Sequence, residues 1–434
     1  MGLRTLTAAI AAVFLLAFAG TSAAATPPSF TNYAAPAGIG TDAGEPSLGA
    51  NWNTGKVMYQ AGLQTLRVDF STTPPAWKDV STTLTSQTSL DPILFTDHST
   101  GRTLVSQLSA GCSLMAFTDD DGSSWTPNPI GCGLAAGADH QTVGGGPFAP
   151  GAVGPLTSYP HTVYYCAQAI ATAQCSISQD GGLNFNPAVP IYNATQCGGL
   201  HGHEKSAPDG TAYVPNADCG GKAAAVISKD NGLTWTVSKI PDSGTQDESD
   251  PSIGVGAGGS AYEGYQGANG HPYVAVLRGG KWSPSVDVGT ALGLQNIQFP
   301  AVVAGDDNRA SFSFLGTTTG GDDQQCGFGG VWHLYVATTY DGGATWTTVD
   351  ATPNDPVQKG GIWMGGGSSA CRNLLDFMDA TVGNRGNVLT GYADGCTGGC
   401  VTGGSNGRTS IATIARQEGG TGLLSAFDAV APPF

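Results

Sequence analysis

An all-β fold closed into a ring, a seven-bladed β-propeller, is predicted by three features of the 434-residue sequence. An eight-residue turn motif occurs four times, apolar strand-like runs flank its copies, and a wider pattern of polar residue, short strand, turn and second strand occurs seven times. Helical periodicity is hard to find, whereas Gly, Thr, Ser and Val are abundant and charged residues make up only 12 % of the chain. Such a composition favours short strands and many turns over helices.

The turn motif reads Ser/Thr-x-Asp-x-Gly-x-Ser/Thr-aromatic. Its copies are Thr118-Asp-Asp120-Asp-Gly122-Ser-Ser124-Trp125, Ser178-Gln-Asp180-Gly-Gly182-Leu-Asn184-Phe185, Ser228-Lys-Asp230-Asn-Gly232-Leu-Thr234-Trp235 and Thr339-Tyr-Asp341-Gly-Gly343-Ala-Thr345-Trp346. The second copy carries Asn at the second hydroxyl position. The chemistry is that of a hairpin: Asp and the hydroxyl residue bond the loop's own backbone, Gly supplies positive φ, and the aromatic plugs into the layer beneath.

The motif aspartates at 120, 180, 230 and 341 are 60, 50 and 111 residues apart, so one unit without a clean motif lies in the last gap. Tyr273–Leu277, a turn at Gly279-Gly280 and Trp282 supply it. Units of this length, with a few strands each, signal a propeller. The seven units open near Glu45, Asp91, Asp139-His140, His201-Gly-His203-Glu204, Glu248-Ser-Asp250, Gln298 and Asp376-Phe-Met-Asp379. Their second strands end near Gln60, Gln107, Gln168, Asn216, Gln266, Phe314 and Tyr392. Phe30 to Ala35 is expected to complete the last blade and close the ring. Residues 26–434 then form one domain, with the runs Gly144–Gly146 and Gly365–Gly367 read as long loops.

Residues 1–25 read as a secretory signal: one charge at Arg4, an apolar run from Ala8 to Ala19, and Ala23-Ala24-Ala25 before Thr26. The apolar run falls short of the roughly 20 residues of a membrane span. A secreted, extracellular and monomeric protein is expected. Its formal net charge of −16 repels nucleic acid and anionic membrane surfaces. Ten cysteines in an exported chain imply disulfides. Nearest-neighbour pairing gives Cys112–Cys132, Cys166–Cys175, Cys197–Cys219, Cys326–Cys371 and Cys396–Cys400. None has metal-site spacing with histidines, so no metal and no cofactor is expected; a structural cation in the ring's funnel is the open alternative.

The four motif copies resemble the Asp-box (BNR) repeat of sialidase-like β-propellers. The resemblance covers nearly the whole mature chain as architecture. In a propeller of this type the box turns share one face with the first-to-second-strand turns. The residues opening the innermost strands converge on the other face. A funnel of carboxylates and amides suits a sugar, whose hydroxyls need both acceptors and donors, and two carboxylates at suitable separation can hydrolyse a glycosidic bond.

Asp91, Glu204 and Asp250 are the expected catalytic carboxylates, with His140 tuning or sharing proton transfer. His203, Lys205, Arg372, Asp376, Asp379 and Gln298 are expected to hold a glycan or polysaccharide. The resemblance further implies an arginine triad for a sugar carboxylate, but no Arg-Ile-Pro motif opens the ring. Of nine arginines only Arg67, Arg372 and Arg408 are placed to reach the funnel side. The reading is a secreted, carbohydrate-active propeller, foremost a sialidase-like glycoside hydrolase. Two alternatives stand beside it. One is a uronate lyase using His140, Tyr164, Tyr165 and Lys205 or Arg372; the other is a propeller that binds glycans without turnover. The Gly-rich runs lack a following helix and do not read as nucleotide sites.

Overall fold

The computed structural model describes residues 25–109, 112–131, 139–151, 153–169, 172–246 and 248–429. The signal segment other than Ala25, and the Cys112–Cys132 pair, fall outside what it describes. Seven antiparallel sheets stand around an axis, each the product of one sequence unit, and no described residue is in an α-helix. The innermost strands are Ser47–Ala50, Pro92–Thr96, Asp139–Pro147, Lys205–Ser206, Ser252–Val255, Asn296–Ala304 and Asp379–Val382, in blades 1 to 7. Ser29–Ala34 pairs antiparallel with Ile411–Gly419 and forms the outer edge of blade 7, as the ring-closure argument expected. Closure by the opposite end of the chain ties the first blade to the last and leaves no blade incomplete.

Each box turn is built alike. In blade 4 the Ser228 hydroxyl donates to Asp230 and accepts from Gly232 N, while Asp230 accepts from Thr234 N at 2.9 Å and from its hydroxyl at 2.5 Å. The box aromatics fill the space between blades. Trp125 of blade 2 donates to Val80 O and packs with Met58 of blade 1, and Trp346 of blade 6 meets Tyr262 of blade 5 edge to face. Box turns also meet the first-to-second-strand turn of the preceding blade: Asn51 bonds Asp121, Arg102 bonds Gly181 O, and Asn231 bonds Ala149. All these turns lie on one face.

Around the axis the inner strands are pinned by side chains that accept a neighbour's amide. Leu94 N donates to Ser47 Oγ, Gln141 N to Asp91 Oδ2, Glu204 N to Thr142 Oγ1, Val302 N to Ser252 Oγ and Leu48 N to Asp379 Oδ2, at 2.6 to 3.2 Å. Neighbouring inner strands belong to different sheets, so their inward amides have no ladder partner, and these side chains supply one.

One expectation needs correction. Gly144–Gly146 is not a loop but the middle of the blade 3 inner strand. A Cβ at Gly144 would lie 2.0 Å from Glu204 Oε2, and one at Gly146 would lie 2.6 Å from Ser206 Cβ. Glycine is required there because blade 4 approaches the strand too closely for any side chain. Gly365–Gly367 does lie in a loop, the long connection from blade 6 to blade 7. The C-terminal segment packs on the box face as far as Asp428, with Leu423 buried and Asp428 paired with Arg309.

Four disulfides are described: Cys166–Cys175, Cys197–Cys219, Cys326–Cys371 and Cys396–Cys400, all as expected from nearest-neighbour pairing. Among the described residues no helix is long and apolar enough to cross a membrane.

Candidate functional site

The residues that open the inner strands gather on the face opposite the box turns. One group forms the floor of a funnel. Glu45, Asp91, Asp139-His140 and Asp250 precede or begin inner strands of blades 1, 2, 3 and 5. Arg372 and Asp376 arrive on the blade 6–7 connection. Cys326–Cys371 anchors that connection to blade 6, and the Leu374 carbonyl accepts from Glu45 N.

His140 Nδ1 lies 3.3 Å from Asp250 Oδ2, and its ring stands edge to face with His201, 6.4 Å between centroids. Arg372 grips Asp376 closely, and its Nη2 lies 3.9 Å from Glu45 Oε1. Asp91 Oδ2 accepts the Gln141 amide at 2.6 Å. Several buried polar atoms of this floor have no protein partner: Asp91 Oδ1, Asp250 Oδ1, Asp376 Oδ1, Arg372 Nε and His201 Nε2. Buried polar groups are normally paired, so this concentration of open valences marks a place built for a ligand or ordered water.

The electrostatics follow from burial and crowding. Burial pushes Asp91 up to about 7, opposed by the charge on His140 and the Gln141 amide. Burial, then repulsion from Asp91 and Asp376, holds Glu45 well above the usual carboxyl range, and Asp376 is raised for the same first reason. Burial alone would depress His140, but Asp250, Asp91 and Asp139 together raise it to about 10. Burial lowers His201 to about 4 and keeps it neutral. A carboxyl raised into the neutral range and the ion-pair partner Asp250 therefore flank one imidazolium.

Backbone strain is concentrated here as well. Glu45 (φ +54°), His140 (φ +46°) and Leu375 (φ +59°) adopt the left-handed region that non-glycine residues avoid. Such strain, at a cost of roughly 1–3 kcal/mol per residue, tends to persist where function needs the geometry.

A second group lines the axial channel beneath, a cavity of ≈ 170 Å³. Lys205 Nζ lies 3.9 Å from Asp379 Oδ1, and His203 packs edge to face on Phe377 at 4.5 Å. His98, at the box-face end, stacks on Trp52. Burial drives His203 well below the usual imidazole range, so it stands neutral beside Lys205.

The structure thus divides the residues expected to act together. His140, Asp91, Asp250, Arg372 and Asp376 meet on the floor. His203, Lys205 and Asp379 sit lower, in the channel, where Asp379 also pins Leu48 N. Glu204 is set apart from both groups. It is 1 % exposed between blades 3 and 4, takes the Ser206 hydroxyl at 2.6 Å, and abuts the backbone at Gly144; burial raises it to about 7. Gln298 is wholly buried in blade 6 and donates to Asp323.

Two further floor residues, Glu45 and Asp139, have as their signal in the sequence only that each opens a unit of the repeat. His201 gave only its place in the His201–Lys205 cluster as a signal. Arg67, expected near the funnel, instead donates to Asp121 O at the blade 2 box turn. Tyr164 and Tyr165 are buried among blade side chains, Tyr164 toward Glu204 and Tyr165 toward Asp91. Among the described residues, no group of three or more His, Cys, Asp or Glu is arranged to hold a metal ion.

No protein-family model matches the chain, and no curated protein does. Among solved structures, it is similar to the BP39L lectin from Burkholderia pseudomallei, with a TM-score of 0.54 at 15 % identity over 86 % of this chain and 96 % of the lectin. It is also similar to the GH74 enzyme of Niastella koreensis, with a TM-score of 0.51 at 16 % identity over 88 % of this chain. The Hadza microbial sialidase Hz136 aligns with a TM-score of 0.40 at 14 % identity over 86 % of this chain. The chain spans 65 % of the sialidase and 55 % of the GH74 enzyme. The first two likenesses, at such identities, bear on the fold alone, a β-propeller, which the strand order fixes at seven blades.

Proposed function

We propose that this protein is a carbohydrate-active propeller that works outside the cell and hydrolyses a glycosidic bond on the funnel floor. The observation that carries the reading is the Asp91–His140–Asp250 group. Asp91, raised to about 7, is the proton donor to the leaving oxygen, and Asp250, as the carboxylate paired with His140, is the base or nucleophile. A carboxyl raised by burial beside a second one held by a cation is what acid–base hydrolysis requires. Each carries a buried oxygen without a protein partner, a valence left for substrate or water to fill. Arg372, Asp376 and Glu45 would hold sugar hydroxyls, while His203, Lys205 and Asp379 would meet any part of the glycan that enters the channel. Glu204 is left to position the blade 3–4 wall.

The lyase alternative has less behind it because Tyr164 and Tyr165 belong to the hydrophobic clusters of the blades, and of the two only Tyr165 lies near enough to feel the charge of Asp91. A binder without turnover is the stronger second reading. The glycan-related propellers among the solved neighbours include both kinds of protein, and the disulfides suit an oxidising exterior.

The test is a glycan panel run on the wild type, Asp91→Asn and Asp250→Asn, with reducing ends, ultraviolet absorbance and melting temperature read together. Hydrolysis predicts new reducing ends without absorbance, and a loss of about 10²–10⁴-fold in kcat in each folded variant. No turnover, with a glycan raising the melting temperature, would replace the hydrolase by a binder.

A further inference from the structure

We propose that the sugar taken by the funnel carries a free ammonium group, as a glucosamine residue does, and that anionic sugars are excluded. This rests on the reading of the floor as the glycan site. The argument begins with the open valences. Asp91, Asp250 and Asp376 each present one buried oxygen without a partner. His201 adds an acceptor: its Nδ1 faces the Gly202 carbonyl at 3.0 Å and so carries the proton, which leaves Nε2 as a bare lone pair on a neutral ring. Asp250, His201 and, once its proton is released, Asp376 thus offer three acceptors, against the open donors Arg372 Nε and the protonated Asp91. A ligand that satisfies such a floor must bring donors, and an ammonium brings three on one atom. Asp91, Asp250 and His201 are 4, 6 and 1 % exposed, so the unmet bonds cannot all be repaid by bulk water.

The cations of the floor are already engaged. The fork of Arg372 rests on Asp376 and faces Glu45, and His140 lies against Asp250. Neither is available for the two parallel bonds with which an arginine usually grips a carboxylate. Lys205 is occupied with Asp379 in the channel. Five carboxyl groups, Glu45, Asp91, Asp139, Asp250 and Asp376, face two cationic side chains on the floor. Burial first, and crowding after it, keeps some of these carboxyls protonated; the crowding would be relieved by an arriving cation and worsened by an anion. An ammonium should therefore bind with release of protons from Glu45 and Asp376, while Asp91 keeps the proton it donates in the reaction.

The experiment is calorimetric titration at 150 mM salt of the wild type, Asp250→Asn and Asp376→Asn. The probes are glucosamine tetrasaccharide, its fully N-acetylated counterpart and sialyllactose, in two buffers of different ionisation heat. The glucosamine oligomer should bind at least tenfold more tightly than the acetylated one and release protons. Sialyllactose should not bind, and each variant, shown to be folded by its melting curve, should lose tenfold or more for the glucosamine oligomer. Equal or tighter binding of the acetylated oligomer or of sialyllactose overturns the ammonium inference and leaves the funnel as a glycan site. Glucosamine binding unchanged in both variants also overturns it, since the −16 chain would then be adsorbing a cation elsewhere. If no probe binds, and no glycan of the wider panel does, the glycan reading of the floor falls with it.

Discussion

Asp250→Asn removes the anion that His140 leans on and leaves a side chain of the same shape. The pair is 3.3 Å apart, with side chains 10 and 8 % exposed, so solvent screens it little. Loss of an opposing charge at this range lowers a histidine by about 1–3 pKa units. His140, held at about 10 in the intact protein, should then titrate at about 7–9. In energy this is about 1.4–4 kcal/mol of preference for the protonated ring. The sign follows from linkage. A histidine raised in the folded state contributes stability that is complete below its unfolded value near 6.5 and lost as pH rises through its folded value. The wild type should thus exceed the variant in melting temperature most clearly near pH 6, with the gap closing toward pH 10. The assay is a proton–carbon NMR titration with labelled histidine, in which His140→Gln identifies the His140 signal among the seven histidines. An ordinary midpoint near 6.5 in the wild type, or a midpoint unmoved by Asp250→Asn, would refute the pairing and the acid–base assignment built on it.

Two further substitutions probe the scaffold. Glu263, in the second strand of blade 5, is fully buried with both carboxyl oxygens unpartnered, and burial alone holds it well above the usual range. Its neutral form is stable at low pH, and each pH unit above the unfolded value costs about 1.4 kcal/mol until the folded value is reached. Glu263→Gln should therefore match the wild type near pH 5 and melt about 3–4 °C higher near pH 7.5 by calorimetry. An offset equal at both pH values would count against a carboxyl that ionises only at a cost. Asp230→Ala removes the acceptor for Thr234 N and for two hydroxyls in the blade 4 box, which should cost about 1–3 kcal/mol in urea unfolding. Because that turn lies on the face opposite the funnel, glycan turnover or binding by the folded variant should be unchanged; a loss there would contradict the two-faced layout.

What the sequence determined is the repeated part of the molecule. A box turn is local: Ser228, Asp230, Gly232 and Thr234 bond within a few residues of each other, so their spacing alone specifies the hairpin. Strand alternation and the even spacing of units then fix the blade count, and the unpaired strand at Phe30 fixes the closure. The nearest-neighbour disulfides were legible for the same reason, since Cys166 and Cys175 lie opposite one another on adjacent strands. The ring also dictated that Asp91, His140, Asp250 and Asp376 should come to one end of the axis.

Only tertiary structure decided which of these residues touch. Glu204 and Asp250 both stand at the opening of an inner strand, yet one is closed off by the backbone at Gly144 and the other faces His140. That difference comes from how closely two particular blades approach, a distance set by packing between sheets rather than by any local pattern. The glycines at 144–146 carry the same lesson. Read along the chain they resemble a loop, but in the ring they are the one residue type that lets blades 3 and 4 meet. The descent of His203, Lys205 and Asp379 into the channel likewise depends on which way each inner strand turns its side chains at the axis, where seven separate sheets converge.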